Sequence, residues 1–462
     1  MRIVRAFFVL VLLAALALGV AYYFAGRAAG PVITLKHPPV IGQAAPLEVS
    51  VAAPGGVEAL SVQIEQKGQT IPVYTYGDSP TPAAQAGDNL RVSLSIGKKP
   101  FPQLQPGTAT LVVSATRPVL RGLRHVSSRV TKDVQLRFDP PRLAVVSTKH
   151  YINLGGAEFI IYRVAPPNTE SGVKVGDLFY RGFPAAGAGV PNAGDDTGLK
   201  AAFFALRYDQ PTNVPMELYA RDEAGNEARS QFDHQVFPKA FKHSRIPLDD
   251  TFLGRVVPAI LQGSPQLNAN PADLLPSFLK INNDLRRMNA ETIAALAQKT
   301  SPRVLWRGAF QPLGNSQVEA AFADYRTYIY GGKEVDKQVH LGFDLAKVAN
   351  APVIAANDGK VLYAKDLGIY GNCVILDHGM GVQSLYGHLS SFQVQEGEDV
   401  HKGQTLGLTG QTGMAGGDHL HFSMMVDGQF VNATEWWDPH WIQDRVARKL
   451  QEAGASGATV AP

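Results

Sequence analysis

The amino-acid sequence predicts a mainly β chain of several domains, and three observations carry that reading. Glycine and proline number 45 and 31 among 462 residues, a density that favours turns over long helices. Short apolar runs with period-two alternation recur between turn clusters roughly every ten residues. The chain is also too long for one hydrophobic core and should divide into about three domains. On composition shifts we divide it into an apolar segment at 1–30, a β-sandwich module at 31–139, a second β module at 140–240, a short helical linker at 247–300, a strand-rich domain at 301–441, and a helix end with a disordered tail at 442–462.

The N-terminus sets the compartment. After Arg2 and Arg5 the run Ala6–Ala25 is uncharged and almost wholly apolar, close to the 20 or so residues that cross a bilayer and longer than the 7 to 15 or so of a cleavable signal core. An uncleaved signal anchor is expected. Positive charge lies mostly before the run, with Arg27 alone close behind it, so the rest of the chain is expected outside the cytoplasm. Cleavage near Ala28 and Ala29, the alternative, exports the chain equally and leaves it secreted.

In the first module, Leu47-Glu48-Val49-Ser50-Val51, Leu60-Ser61-Val62-Gln63-Ile64 and Ala109-Thr110-Leu111-Val112-Val113 alternate, separated by Pro54-Gly55-Gly56 and Gln105-Pro106-Gly107. Pro140-Pro141 ends the pattern, since neither residue donates to a ladder. The second block, Arg142 to Pro238, closes on Met216 to Ala228, where the polar turn Asp222 to Asn226 joins two alternating segments. That turn resembles the closing hairpin of bacterial immunoglobulin-like modules, which makes both blocks candidate spacers or docking modules for cell-envelope proteins. The cluster Arg117, Arg121, Arg124, His125, Arg129 and Lys132 reads as the solvated face of a hairpin rather than an anionic-surface patch. With a net charge of only +3 and no concentrated basic face, nucleic acid is excluded as a partner. Cys373, the single cysteine, sits in the apolar run Asn372 to Leu376 and reads as a small core residue.

From Pro247 to Thr300 the texture turns helical. Asn270-Pro271 has the form of an N-cap and first-turn pair, and Leu274, Leu275, Phe278, Leu279, Leu285, Ile293, Ala294 and Leu296 recur at helical spacing. The stripe is expected to pack on a neighbouring domain. Strands return from Pro302 to Trp441, and the tail from Gln451 to Pro462 is small and polar, expected to be disordered.

Chemistry concentrates in three pieces of the last domain: His340-Leu341-Gly342-Phe343-Asp344, Tyr386-Gly387-His388-Leu389 and His419-Leu420-His421-Phe422. On a strand, alternate residues share a face. His419 and His421 then line a groove while Leu420 and Phe422 face the core. The spacing of His340 and Asp344 also suits a helix, but Gly342 and the turn-rich surroundings favour a strand or loop; on a strand His340, Gly342 and Asp344 share a face, with Gly342 leaving room beside a metal. Two histidines and one aspartate suit zinc and leave a fourth position open, as in catalytic sites. Two further histidines are surplus to ligation and suited to proton transfer. An isolated histidine is usually a satisfied core or surface residue; five suitable groups in one glycine-rich domain are harder to dismiss. His378 and His401 lack such patterning and are assigned to turns.

The ordered set His340 to Asp344, Val374-Ile375-Leu376-Asp377-His378-Gly379, Leu385-Tyr386-Gly387-His388-Leu389-Ser390, Gly403-Gln404 with Gly407 and Gly410, and His419 to Phe422 closely resembles the LytM or lysostaphin-type zinc metallopeptidases, the M23 family, over Val304 to Asn432. The resemblance implies an antiparallel β-sheet metallopeptidase domain with one zinc ion on His340, Asp344 and His421. His388 and His419 would activate water and stabilise the tetrahedral intermediate. A groove tyrosine assists in some members, for which Tyr328 or Tyr330 are the candidates; Gly417-Asp418 stands where a small residue and proline are common. The implied activity is hydrolysis of peptidoglycan crosslinks, with D,D-endopeptidase action, a single-pass inner-membrane anchor and a periplasmic catalytic domain. The alternative is a silent or autoinhibited module that recruits other wall hydrolases.

Overall fold

The computed structural model describes residues 2–77, 83–191, 193–194 and 196–457. They form two compact units: Met1–Pro141 with Arg221–Glu227, and Arg142–Ala220 with Ala228–Pro462.

The first unit begins with the 24-residue helix Arg2–Ala25, which holds an 18-residue stretch of mean hydropathy 2.7 and has no buried side chain. Its length and composition suit a membrane anchor or a signal sequence equally. Two sheets follow. One orders the strands Val32–Lys36, Ala45–Ala52, Asn89–Ile96 and Ala83–Ala86; the other has five strands built around the hairpin Gly107–Val119 and Arg124–Leu136. Both contribute alternate residues to one core: Leu47, Val49 and Val51 from the first, Val62, Ile64, Leu111 and Val113 from the second. The alternation in the sequence is therefore the inward face of a sandwich. The basic cluster lies along that hairpin, where His125 meets Glu58 and Arg129 meets Glu65, each at 3.1 Å.

In the second unit the sheet Arg142–Val145, Ala157–Ala165, Leu199–Ala205 and Phe183–Pro184 lies over one core with the sheet Leu178–Arg181, Glu170–Val175, Met216–Arg221 and Glu227–Gln231. That core does not stop near residue 240, as the sequence division expects. Phe159 and Phe203 continue through Trp306 and Phe310 to Trp436, with ring centroids 4.6–6.2 Å apart. Such aromatic contacts bury large apolar area, so the second β block, the helices and the strand-rich domain make one unit.

The chain end departs further from expectation. Arg448–Gly457 is helical, so residues 451–457 are ordered, while 458–462 lie outside the described residues. Composition misses this because the order is tertiary: Lys449, fully buried, donates to Glu158 Oε1 and to the Phe159 carbonyl, both at 2.7 Å, and Val446 and Ala453 are buried beside it. Breaking a buried pair by removing one partner strands the other charge, at a cost of about 3–5 kcal/mol. Lys449→Ala should lower unfolding stability by that amount in denaturant titration.

The helical segment holds Asp250–Gly263, capped by Asp249 Oδ1 accepting from Phe252 N at 2.7 Å, then Leu274–Lys280, a π-helical turn Ile281–Leu285, and Arg286–Ala297. The expected start at Asn270-Pro271 shifts to Leu274, because Asn270 Oδ1 accepts from Ala272 N and closes a turn first.

An antiparallel sheet forms the platform of the last domain. Its strands run in the order Gln317–Ala320, Phe343–Ala346, Leu420–Val426, Val382–Leu389, Asn372–Gly379, Gly359–Asp366 and Asp399–Val400. Beside it a three-stranded sheet pairs Asp324–Tyr330 with Lys333–His340 and with His243–Leu248. Cys373 is wholly buried in the strand Asn372–Gly379, and burial pushes its thiol far up, in keeping with a core role.

Candidate metal centre

The chain changes sheets at the first motif. His340 ends one strand and Asp344 lies in the next, so the two do not share one continuous strand; the break at Leu341-Gly342 turns both side chains toward a common point. Asp344 pairs in register with His421, which in turn faces Gly387. Leu420 and Phe422 are buried on the other face, at 2% and 1% exposure.

His340 Nε2, His421 Nδ1 and Asp344 Oδ1 stand 2.9, 3.0 and 3.1 Å from one another. Donors about 2 Å from one tetrahedral ion are separated by about 3.3 Å, so the three fit a shared cation. The tautomers fit as well. His340 Nδ1 lies 3.2 Å from the Ala321 carbonyl, to which only an N–H can bond, leaving Nε2 its lone pair. Ser423 Oγ donates to the Leu341 carbonyl at 2.8 Å and so accepts from His421 Nε2 at 3.0 Å, which leaves Nδ1 its lone pair. Two lone pairs and a carboxylate aimed at one point repel unless a cation lies between them. Burial pushes His421 down to about 4 against the pull of Asp344. Burial would raise the Asp344 carboxyl, yet His340 first, then His419 and His421, hold it well below the usual range.

Gly342 is needed for a reason other than the one the sequence offers. A Cβ there would lie 2.5 Å from His421 Nε2 and 2.6 Å from Ser423 Oγ, so the missing side chain makes room for the His421 ring and its serine.

The other two histidines join the same cleft. His388 Nδ1 donates to the Thr412 carbonyl at 2.8 Å, so its Nε2 is free as a base. Its backbone is held at φ 65°, in the left-handed region, a strain that persists only where surroundings enforce it. Burial, then His419 and His421, push its pKa well down. His419 stands 4.8 Å away ring to ring, donates from Nδ1 to the Gly417 carbonyl at 2.9 Å and places Nε2 3.4 Å from Asp344 Oδ1. Burial lowers its pKa, but Asp344 outweighs burial and raises it. The two imidazoles are thus shifted in opposite directions while facing one cleft, a pair suited to proton transfer.

The cleft encloses about 430 Å³. Ile246 and Leu248 and the helix residue Phe252 wall one side, and Arg255 ties that helix to the opposite loop by donating to the Ala415 carbonyl at 2.8 Å. Three lining residues escape sequence reasoning. Arg326 donates to Asp344 Oδ2 at 3.1 Å, Tyr370 packs 5.4 Å from the His421 ring, and Glu319 lies within electrostatic reach of His419. Tyr328 lines the cleft, whereas Tyr330 turns away and donates to Asp250 Oδ1 at 2.6 Å.

His378 is not in a turn. It sits in the strand Asn372–Gly379, wholly buried, with Nδ1 2.7 Å from the Asp358 carbonyl and Nε2 2.7 Å from Ser384 Oγ. Burial lowers its pKa to about 4 from an ordinary 6.5. Between those values the unfolded chain binds the extra proton, so the stability that neutral His378 contributes is present above pH 6.5 and is lost as pH falls toward 4. His378→Asn should flatten that part of the stability profile in denaturation measured from pH 7 to 4. His401 is exposed and follows the short strand Asp399–Val400, as a turn residue would.

Comparison with known proteins finds a family match over the span that holds these side chains. The peptidase family M23 model matches residues 338–433. The DD-carboxypeptidase/endopeptidase Mpg of Neisseria meningitidis serogroup B is 41% identical over 95 residues, 21% of this chain and 22% of that protein. The peptidoglycan DD-endopeptidase ShyA of Vibrio cholerae is 39% identical over 94 residues, 20% and 22% of the two chains. The match thus spans about a fifth of the length of these curated relatives. Among solved structures, the catalytic domain of lysostaphin from Staphylococcus simulans is 27% identical, covering 28% of this chain and 98% of that one, with a TM-score of 0.24. Residues 338–433 of this chain are a peptidase family M23 domain.

Proposed function

We propose that this protein is a zinc-dependent endopeptidase that hydrolyses peptide crosslinks of peptidoglycan, with His340, Asp344 and His421 as zinc ligands and His388 and His419 as the proton-handling pair. The observation that supports it most is the inward convergence of two imidazole lone pairs and one carboxylate beside two further imidazoles. When bound, zinc polarises the scissile carbonyl and acidifies a water. His388 Nε2 would take the proton of the attacking water and His419 would stabilise the developing oxyanion, the proton then passing to the leaving amine. Both curated relatives above carry endopeptidase in their names, which favours D,D-endopeptidase action.

The helix Arg2–Ala25 is assigned as an uncleaved inner-membrane anchor with the catalytic domain in the periplasm. The β-sandwich modules, read as immunoglobulin-like, serve as spacers or docking surfaces for envelope proteins. A purely recruiting module is disfavoured, because all five chemical groups are in place. The purified zinc-loaded protein should release crosslink-derived muropeptides from isolated sacculi, with mass spectrometry identifying the bond. Release of intact disaccharide chains with crosslinks uncut would contradict the assignment.

A further inference from the structure

A second cavity, of about 630 Å³, adjoins the metal cleft and shares Arg286, Arg326, Val339 and Tyr370 with it. Four cationic side chains line it, Arg286, Arg287, Arg326 and Lys337, with His243 a fifth basic group, and no carboxylate belongs to its lining. Three of the four cations are already neutralised: Arg287 by Glu291 at 2.6 Å, Lys337 by Glu334 at 2.8 Å, Arg326 by Asp344 at 3.1 Å. Arg286 meets no carboxylate among the described residues.

Its position is nevertheless fixed. Arg286 Nη2 donates to Asn282 Oδ1 at 2.7 Å and Nε to the Asn282 carbonyl at 3.2 Å. Asn282 is wholly buried and its own amide is oriented by donation to Asp336 Oδ2 at 2.8 Å. The residue sits in the π-helical turn Ile281–Leu285, a distortion that recurs at functional sites. Arg286 is close enough to act electrostatically on both Tyr370 in the metal cleft and Tyr208 in the second cavity. A guanidinium oriented by a chain of partly buried hydrogen bonds, at the junction of two cavities and with no carboxylate partner among the described residues, is built to receive a planar anion through paired donors.

We infer that this second cavity is a substrate subsite for a peptide arm bearing a free C-terminal carboxylate, and that Arg286 binds that carboxylate. The inference rests on the peptidoglycan endopeptidase reading, since uncrosslinked peptide arms of that polymer end in free carboxylates. It assigns specificity to the helical segment outside residues 338–433: the metal and histidines cut, and Arg286 selects which arm enters the cleft.

The test uses zinc-loaded full chain and two probes, Nα-acetyl-L-Lys-D-Ala-D-Ala and its C-terminal amide, with affinity read by competition against a fluorescent peptide. The acid is expected to bind at least about tenfold tighter than the amide. Arg286→Leu should bring that ratio close to one by weakening the acid alone, and Arg286→Lys should retain part of it. Equal affinity of wild type for acid and amide, or an Arg286→Leu chain that keeps the preference, overturns the inference; so does failure of both probes to bind. Should Arg286→Leu not fold, the wild-type ratio and the Lys variant still decide. Sacculus digestion run alongside separates the two readings: intact crosslinks with a preserved acid preference sink the hydrolase assignment and leave the subsite standing.

Discussion

Replacing His388 with alanine is expected to lower the proposed crosslink hydrolysis by a factor of about 10²–10⁴ while the chain still binds one zinc ion. The two effects separate because His388 contributes no ligand atom: it holds the Thr412 carbonyl through Nδ1 and keeps Nε2 for the cleft. Its surroundings serve the same end, with burial and two neighbouring imidazoles keeping the ring neutral and a left-handed backbone fixing its direction. Steady-state hydrolysis of a defined crosslinked muropeptide, paired with zinc content by atomic absorption, checks it. A variant that keeps full turnover removes His388 from the chemistry; one that loses zinc makes it a structural residue.

The second large effect is expected from Gly342→Ala, the smallest possible change to the first motif. The added methyl would fall 2.5 Å from His421 Nε2 and 2.6 Å from Ser423 Oγ, closer than side-chain carbons approach other atoms. Either the ring turns or the serine leaves, and each outcome breaks the bond that fixes which nitrogen of His421 faces the metal. Loss of such an orienting partner costs about 10–100-fold in metal affinity. Competition with a chromophoric chelator measures it directly, and an unchanged affinity would show that the glycine serves another purpose.

Much of the site was legible in the sequence because strand geometry is local. Alternation in His419-Leu420-His421-Phe422 separates metal face from core face, and the structure places the side chains accordingly. The same alternation reaches one step further, to Ser423, on the face of His421; that signal was present and unused. The strand or loop left open through His340 and Asp344 resolves into a break between two strands, because the chain changes sheets at Gly342. That event depends on which strands pair, not on local pattern. Arg326, Tyr370 and Arg286 were beyond reach for the same reason. They arrive on a neighbouring strand, a short 3₁₀ turn and a helix, and each meets the cleft through tertiary contact alone. The chain end shows the limit in another form: the small, polar stretch from Gln451 reads as a tail, yet it continues the helix Arg448–Gly457, which Lys449 anchors to Glu158 across 291 positions.

The proposed activity requires above all one zinc ion held by His340, Asp344 and His421. X-ray absorption at the zinc edge of the purified full chain, with sacculus hydrolysis followed through chelation and zinc return, tests it most directly. One zinc per chain is expected, with two nitrogen and one oxygen protein ligands, activity lost to chelator and restored by zinc, and loss of that zinc in Asp344→Ala. Full hydrolysis by the metal-free chain, or a zinc that survives Asp344→Ala with unchanged coordination, would contradict it.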